Sequence, residues 1–325
     1  MTELTVCAKI KLKNVILAKW QSVLGQKPGK ERNGGLIFMA EKSKKYVYEW
    51  EDYEDGKKNA KTMAEEILTD PQLPELEEII IGCWGESWEN SAQSIIDSIV
   101  ANKEKFTGIK SLFVGDMDYE ECEVSWIEQA DYSALWETLP GLERLTIKGG
   151  TNLSLGKICH LKLKRLEIIC GGLPKEVLAS IAEAELPELE ELALYLGVDD
   201  YGFDGGVEDV KNMLEKSNFP KLRALGIMDS EIQDEVAEVV CDSKYMKQID
   251  TLDLSKGTLT DQGGEILLKT LPDYENIKEV NLEYHYMSED MMKKLERLSA
   301  KVDVSDPQED DEYDGEIYRY PMLTE

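Results

Sequence analysis

Histidine is the side chain best suited to acid–base and metal chemistry near neutral pH, and this sequence contains only two, His160 and His285. They are more than a hundred residues apart, and each stands beside a predicted strand, where a hydrogen-bonded structural histidine is the ordinary role. The sequence has no G-x-S-x-G motif, no H-E-x-x-H motif and no phosphate-binding glycine loop. We therefore expect no catalytic residues, no cofactor and a non-enzymatic function.

Cysteines are the next candidates for chemistry, as metal ligands or disulfide partners. None forms a C-x-x-C pair, and each stands in or beside an apolar segment, which is typical of reduced thiols in a protein interior. We expect neither disulfides nor a zinc site. The six cysteines are Cys7, Cys83, Cys122, Cys159, Cys170 and Cys241.

Carboxylates collect on the segments that leave three of the predicted strands. Such clusters can hold Ca²⁺ or Mg²⁺, but the spacing matches no established metal-binding loop, and nothing fixes two carboxylates at the separation a hydrolase needs. We favour a solvated or partner-facing acidic rim without metal; an ion-dependent or enzymatic module that uses this rim is the alternative. The rim residues are Asp116, Asp118, Glu120, Glu121, Glu123, Asp199, Asp200, Asp229 and Glu231.

The charge of the whole chain restricts its partners. Its 325 residues include 37 Lys or Arg and 66 Asp or Glu, which gives a formal charge of −29. Phosphate backbones and anionic lipids repel so acidic a protein, which argues against nucleic acid and membrane partners. No apolar run approaches the ~18 residues that span a bilayer, so we expect a cytoplasmic protein. Hydrophobic residues make up 42% of the chain, enough for a folded core.

The two ends of the chain differ in charge from its body. Residues 1–50 contain ten Lys or Arg and only four Glu, so residues 1–45 are predicted to be a basic N-terminal arm or cap. Residues 306–325 begin with a run of carboxylates and continue into Tyr318 and Tyr320, so they are predicted to be an acidic C-terminal tail and cap. The region between them, residues 46–305, is the predicted folded body.

One apolar spacing, L-x-x-L-x-L, recurs eight times in this body. Its last two positions alternate with other residues at period two, which indicates a strand with one buried face. Four copies are preceded by Pro74, Pro140, Pro187 or Pro220, and proline ends a preceding helix. The copies are Leu76, Ile79, Ile81; Ile109, Leu112, Val114; Leu142, Leu145, Ile147; Leu163, Leu166, Ile168; Leu189, Leu192, Leu194; Leu222, Leu225, Ile227; Ile249, Leu252, Leu254; and Ile277, Val280, Leu282.

Segments with helical apolar spacing separate most of these copies. A strand and a helix repeated every 21 to 33 residues form a unit that must stack on its neighbours to bury its apolar face. The sequence therefore predicts an α/β solenoid shaped like a horseshoe, with a curved parallel sheet on the concave face and helices on the convex face. The predicted helices cover residues 91–100, 175–184, 209–216, 235–242, 261–270 and 288–298.

Residues 252–264, LDLSKGTLTDQGG, resemble one unit of the leucine-rich-repeat family in its long, ribonuclease-inhibitor-like form. The resemblance covers roughly residues 76–305 and implies the same horseshoe. It departs from the family at the Asn position, eight residues after the first Leu of each unit, so the usual Asn ladder is missing. That position holds Trp84, Met117, Gly150, Gly171, Gly197, Ser230, Gly257 or His285.

Four strings resemble more closely an uncharacterised bacterial family of acidic cytoplasmic leucine-rich-repeat proteins. They are GDMDYEECEVSWI at 115–127, GVDDYG at 197–202, DSEIQDE at 229–235 and EIYRYPMLTE at 316–325. This family has no established activity, so the resemblance implies an architecture only. It implies a first strand at 46–50, a first helix at 58–68 and a C-terminal string that caps the far end.

The side chains that alternate with the buried leucines are expected to line the concave face. Nine strands ~4.8 Å apart make an arc of roughly 40 Å, which suits a protein partner better than a metabolite. The middle of the arc combines basic, aromatic and aliphatic side chains, a mixture that interface hot spots favour. We predict that these residues bind a basic protein, whose active cleft they cover if the module is an inhibitor; a self-assembling scaffold is another alternative. The predicted partner-binding residues are Phe113, Arg144, Lys148, Arg165, Ile169, Tyr195, Met228 and Asp253.

Overall fold

The computed structural model of the protein describes residues 42–323. The predicted basic arm or cap at 1–45 therefore lies, apart from its last four residues, outside the described residues, and so does Cys7. The five cysteines within the described range are free thiols, of which four are buried and Cys159 is exposed. No helix among residues 42–323 is long and apolar enough to cross a membrane.

Strands, helices and single 3-10 turns alternate along the chain. The strands are β1 Ser43–Tyr46, β2 Glu78–Ile81, β3 Ser111–Val114, β4 Arg144–Lys148, β5 Arg165–Ile169, β6 Glu191–Gly197, β7 Ala224–Ser230, β8 Thr251–Asp253, β9 Glu279–Asn281, β10 Lys301–Asp303, β11 Asp311–Tyr313 and β12 Glu316–Tyr318. The α-helices are α1 Trp50–Tyr53, α2 Ala60–Thr69, α3 Gln93–Ala101, α4 Leu135–Thr138, α5 Lys175–Ala182, α6 Val207–Lys216, α7 Gln233–Cys241, α8 Asp261–Thr270 and α9 Glu289–Leu295. The 3-10 turns are Leu73–Glu75, Lys103–Lys105, Val124–Trp126, Asp199–Tyr201, Lys244–Lys247 and Leu271–Asp273.

Strands β1 to β10 form one open, parallel sheet in which each strand pairs with the next one along the chain. Sequential parallel pairing requires each connection to cross over on the same side, and helices provide most of these crossovers. Neighbouring helices also pack on one another, as α5 does on α6 and α7 on α8. The protein is therefore the predicted leucine-rich-repeat solenoid. Strands β11 and β12 form a separate antiparallel hairpin.

The repeated apolar spacing forms the core, as predicted. All 24 side chains of the eight copies are at most 3% exposed. The strand register aligns equivalent positions, so that Leu145 pairs with Leu166, and Leu192 pairs with Leu225. Each leucine thus packs against its counterparts in the repeats before and after it. This stacking buries a face that no single repeat could cover.

All six predicted helices are present, with ends that differ by up to three residues from the predicted ones. Within the described residues, the connection between β4 and β5 contains no α-helix. This is the shortest repeat, only 21 residues from Leu145 to Leu166, which leaves no room for a helix and two turns.

The first strand lies earlier in the chain than predicted. Residues 46–50 were expected to be a strand, but β1 ends at Tyr46 and Trp50 begins a helix. The register explains the difference, because Tyr46 pairs with Ile81, the last aliphatic residue of the next repeat. The chain leaves the sheet after Tyr46, as it does after Ile81 in β2 and after Val114 in β3, whereas β4 to β7 continue for one to three more residues. The first helix, predicted at 58–68, is α2 at Ala60–Thr69.

Candidate protein-binding face

The concave face consists of the side chains that alternate with the buried aliphatic positions of the sheet. In β4 and β5, the first, third and fifth residues are exposed or half-buried, while the second and fourth are buried. Because the sheet is in register, these positions form three rows that run across the strands. The first row is Glu78, Ser111, Arg144, Arg165, Glu191, Ala224, Thr251 and Glu279.

The structure places all eight predicted partner-binding residues in these rows. Arg144 and Arg165 are paired neighbours in the first row. Phe113 and Asp253 lie in the second row. The third row contains the paired neighbours Lys148 and Ile169, followed by Tyr195 and Met228.

Met228 lies in the expected row but offers little surface, since it is only 4% exposed. The reason is Gly226, two residues earlier on the same strand and on the same face. Glycine leaves a gap in the face, and the thioether of Met228 lies over it, with its Cε and Sδ atoms beside the position that a Cβ would occupy. Methionine fills irregular gaps well because its side chain is flexible. Met228 is therefore a packing residue of the concave face.

Carboxylates on the same strand or on nearby strands hold the two arginines. Arg165 donates a hydrogen bond of 2.9 Å to Glu191 and one of 3.2 Å to Glu167. Arg144 lies 3.7 Å from a carboxylate oxygen of Glu78, two strands away. Exposed pairs of this kind contribute only about 0 to 1 kcal/mol each to stability. Their effect on recognition is to fix the direction of each guanidinium group and to reduce the net positive charge at the centre of the face.

Lys148 turns away from the centre of the face towards the rim. Its ammonium group donates to the backbone carbonyl of Met117, in the loop after β3. Burial lowers the pKa of Lys148, and the nearby carboxylates of Asp116, Asp118 and Glu121 act against that decrease. The side chain thus balances charge on the acidic rim and presents little of its length to a partner.

Tyr195 is half-buried and stands beside a cation that the sequence analysis did not select. The ammonium group of Lys256 lies 5.9 Å from the centre of its ring, within the range of a cation–π contact. Burial raises the pKa of the Tyr195 phenol, so the hydroxyl stays protonated at neutral pH and can donate a hydrogen bond. Lys256 follows β8 with a positive φ of 68°, a backbone feature that the apolar spacing does not reveal.

The remaining predicted residues supply apolar surface and one anchored carboxylate. Phe113 and Ile169 are both half-buried, so each ring or chain keeps an accessible edge on the face. Asp253 accepts a 3.0 Å hydrogen bond from the side-chain amide of Asn281 on the next strand. It also accepts one of 3.0 Å from the backbone N–H of Ser255. These bonds hold its carboxylate in one orientation.

The carboxylates of the rim stabilise the loops that carry them. Asp118 accepts hydrogen bonds from the backbone N–H groups of Glu120 and Glu121, at 2.9 and 3.0 Å. Glu121 in turn accepts one of 2.8 Å from the N–H of Asp118. Asp116 pairs with Lys45 at 3.0 Å. Throughout residues 42–323, no group of three or more His, Cys, Asp or Glu side chains is placed to hold a metal ion.

Both histidines are buried and act as backbone clamps. The Nδ1 atom of His160 accepts a 2.9 Å bond from the N–H of Leu163, and its Nε2 lies 2.9 Å from the carbonyl of Leu139. Because Nδ1 accepts, Nε2 must carry the proton and donate to the carbonyl. His285 makes the same two bonds, at 3.1 and 3.0 Å. It stands at the family's Asn position, where its ring satisfies backbone groups as an Asn would.

Two shallow grooves lie elsewhere on the described part of the molecule, and neither contains a predicted partner-binding residue. One, of about 430 Å³, lies between α6 and α7 on the helix side. The other, of about 300 Å³, lies at the rim and is lined by Trp88, Ser125, Trp126, Glu128, Thr151, Asp200 and Tyr201.

Comparison with solved structures finds a similar protein in Bacteroides fragilis. A Bacteroides fragilis protein, whose crystal structure was determined as a structural-genomics target, is 44% identical with a TM-score of 0.76. The match covers 82% of this chain and 75% of that one. An internalin, inlF, from Listeria monocytogenes matches with 11% identity and a TM-score of 0.30, over 73% of this chain and 76% of that one, which is too weak to support an argument. No family model and no curated protein matches the chain.

Proposed function

This chain belongs to the same family as the Bacteroides fragilis protein, and we propose that its leucine-rich-repeat solenoid is a non-enzymatic module that binds another protein on the concave face. The observation that supports this most is the composition of the middle strands. Phe113, Ile169 and Tyr195 keep accessible apolar surface there, beside guanidinium groups that are already oriented by ion pairs. Oriented charges and aromatic anchors reduce the side-chain entropy lost on binding.

The size of the face suits a macromolecular partner. Ten parallel strands about 4.8 Å apart extend over roughly 40 Å, and a standard interface uses about 800 Å² on each partner. A metabolite would need a deep pocket, and the two shallow grooves described above lie away from this face. The proposal involves no cofactor, no metal, no nucleic acid and no membrane.

Charge supports a basic partner. The formal charge of −29 steers cationic proteins towards the molecule over long distances. On the concave face itself, strands β8 to β10 carry Asp253, Glu279 and Asp303 against Lys301. One specific form of the proposal is inhibition, in which the solenoid covers the active cleft of a basic enzyme or toxin in the cytoplasm.

Affinity capture with the full-length protein tests the proposal. The test variant carries Arg144→Ala, Arg165→Ala and Tyr195→Ala, and the control carries Lys211→Ala and Lys216→Ala, which remove two exposed positive charges from α6. We expect the captured partner to bind the test variant at least tenfold more weakly and the control unchanged. Affinity should also fall steeply as salt is raised from 50 to 300 mM.

Two outcomes contradict the proposal. Equal affinity of the partner for the wild type and the test variant would remove the concave face as the site. Capture of this chain alone, with sedimentation that depends on protein concentration, would indicate the self-assembling scaffold instead.

A further inference from the structure

The C-terminal segment crosses the ends of three neighbouring strands and binds to each of them. After β9, the hydroxyl of Tyr286 accepts from the N–H of Tyr320 at 3.0 Å and donates to its carbonyl at 3.0 Å. After β8, the carbonyl of Lys256 accepts a 2.8 Å bond from the N–H of Met322. At the end of β7, Asp229 completes the series: its Oδ1 accepts a 2.8 Å bond from the N–H of the next residue, Leu323.

The spacing of these bonds matches an extended chain laid across the strands. Two strand separations amount to about 9.6 Å, and three residues of extended chain span about 10 Å. Residues 320–323 therefore reach from β9 to β7 only as a fully extended chain. Their main-chain groups, more than their side chains, make the hydrogen bonds, which is how a protein binds an extended peptide.

The groove that holds residues 320–323, at the ends of β7, β8 and β9, is built from one repeated backbone feature. Asp229, Lys256 and Tyr284 each stand seven residues after the first aliphatic position of their repeat, and each has a positive φ, of 55°, 68° and 63°. Left-handed backbone is costly for residues other than glycine and persists only where the surroundings impose it. All three positions bind the segment, Asp229 through its carboxylate and Lys256 through its carbonyl. The hydroxyl of Tyr284 donates a 3.2 Å hydrogen bond to the carbonyl of Tyr320.

Burial separates the bound part of the segment from its connection to the solenoid. Every residue from 311 to 320 is exposed, including both strands of the β11–β12 hairpin, whereas Pro321 is buried and Met322 and Leu323 are half-buried. The hairpin turns through Asp314 and Gly315, both with positive φ, a two-residue turn that forms locally. The hairpin is therefore a tether, and the contacts of residues 320–323 hold the segment in place.

Asp229 provides the polar end of the groove. Its side chain is fully buried, and among the described residues its Oδ2 atom has no hydrogen-bond partner while Oδ1 binds the N–H of Leu323. Burial raises the pKa of Asp229, and the N–H of Leu323 and the positive charge of Lys256 act against that increase because both favour the ionised carboxylate.

We propose that the ends of β7, β8 and β9 form a peptide-binding groove that is filled in the resting molecule by the chain's own Tyr-Pro-Met-Leu segment, residues 320–323. A partner's extended segment of the same chemistry, an aromatic residue and proline followed by two aliphatic residues, displaces it. The groove is separate from the concave rows, so its test is independent of the proposed function. The two surfaces meet at Lys256, whose carbonyl binds the segment while its ammonium group lies over Tyr195.

Hydrogen exchange of the full-length protein tests whether the segment detaches. The amides of Met322 and Leu323 should exchange through a local opening, at least tenfold faster than the amide of Thr258, which binds the carbonyl of Ser230 within the solenoid. If all three amides exchange with the same opening constant and the same urea dependence, the segment is an integral part of the fold and the proposal is wrong.

A labelled peptide with the sequence EIYRYPMLTE, residues 316–325, tests the groove itself. The tethered segment competes at an effective concentration of about millimolar, so the full-length variant Pro321→Ala, which alters only the tethered segment, should bind the peptide at least tenfold more tightly than the wild type. Adding Asp229→Ala should abolish that gain, whereas Asp253→Ala, which removes a carboxylate from the concave face, should not. Equal binding to the wild type and to Pro321→Ala, or no binding to either, would refute the groove.

Discussion

Leu252 offers a direct test of the repeat as the source of stability. It is 0% exposed and lies in the central aliphatic column, paired with Leu225 on one side and Val280 on the other. Leu252→Ala loses about 2 kcal/mol of transfer free energy, and a cavity adds to this because ordered strands on both sides cannot collapse into it. We therefore expect a loss of about 3 to 5 kcal/mol in the free energy of unfolding.

Leu161→Ala is the matched control, because the same atoms are removed from a side chain that is 71% exposed. Its effect should stay within about 0.5 kcal/mol. Urea denaturation followed by circular dichroism measures both variants; with a slope of about 3 kcal/mol per M, Leu252→Ala should lower the midpoint by about 1 M or more. Midpoints that agree within error would mean that Leu252 is not in a packed interior, and the solenoid core would be wrongly assigned.

Three further predictions concern backbone and charge. Gly197→Ala should destabilise the protein by more than the ~1 to 2 kcal/mol of left-handed strain, because its Cβ would overlap the carbonyl of the preceding repeat; in the same urea assay Gly315→Ala, also at positive φ but with open space around it, should show the strain alone. Burial lowers the pKa of His160 and His285, so the folded state binds fewer protons than the unfolded one, and stability should fall as pH decreases below ~6.5, a loss that replacing both with Gln should reduce. Burial raises the pKa of Asp229, so the pH dependence that this residue adds to stability has the opposite sign. The wild type should lose stability relative to Asp229→Asn as pH rises from ~4 towards the folded pKa. Parallel curves of stability against pH for the two proteins would contradict this.

The fold was predictable because most of the buried face of its sheet comes from one spacing, L-x-x-L-x-L, that the sequence repeats. Each copy of the spacing specifies a strand with one buried face, and stacking is the only arrangement that covers that face. The first strand was misplaced because only the family resemblance implied it, and residues 46–50 contain no copy of the repeated spacing. In the structure, β1 ends at Tyr46, which pairs with Ile81 at the end of β2.

The sequence predicts which row of the concave face each selected residue occupies, but not what its side chain contacts there. Alternation along a strand determines which face a residue occupies, and all eight selected residues lie on that face. It does not determine which way a long side chain turns. Arg165 binds Glu167 on its own strand and Glu191 on the next one. Lys148 turns towards the rim because a backbone carbonyl of the loop after β3 accepts its hydrogen bond. Met228 became buried because Gly226 leaves space beside it.

The place where the C-terminal segment binds cannot be predicted from the repeated apolar spacing. Leu323 binds Asp229, 94 residues earlier, through one backbone N–H, and Met322 binds Lys256 through another. Backbone groups are the same at every residue, so no side-chain pattern marks where such a segment will bind. The preparation lies in the solenoid, where three successive repeats adopt left-handed backbone at one position with residues other than glycine, whereas the repeat of β4 has Gly149 there. Strain repeated in register across β7, β8 and β9 therefore points to a surface shaped to hold an extended chain.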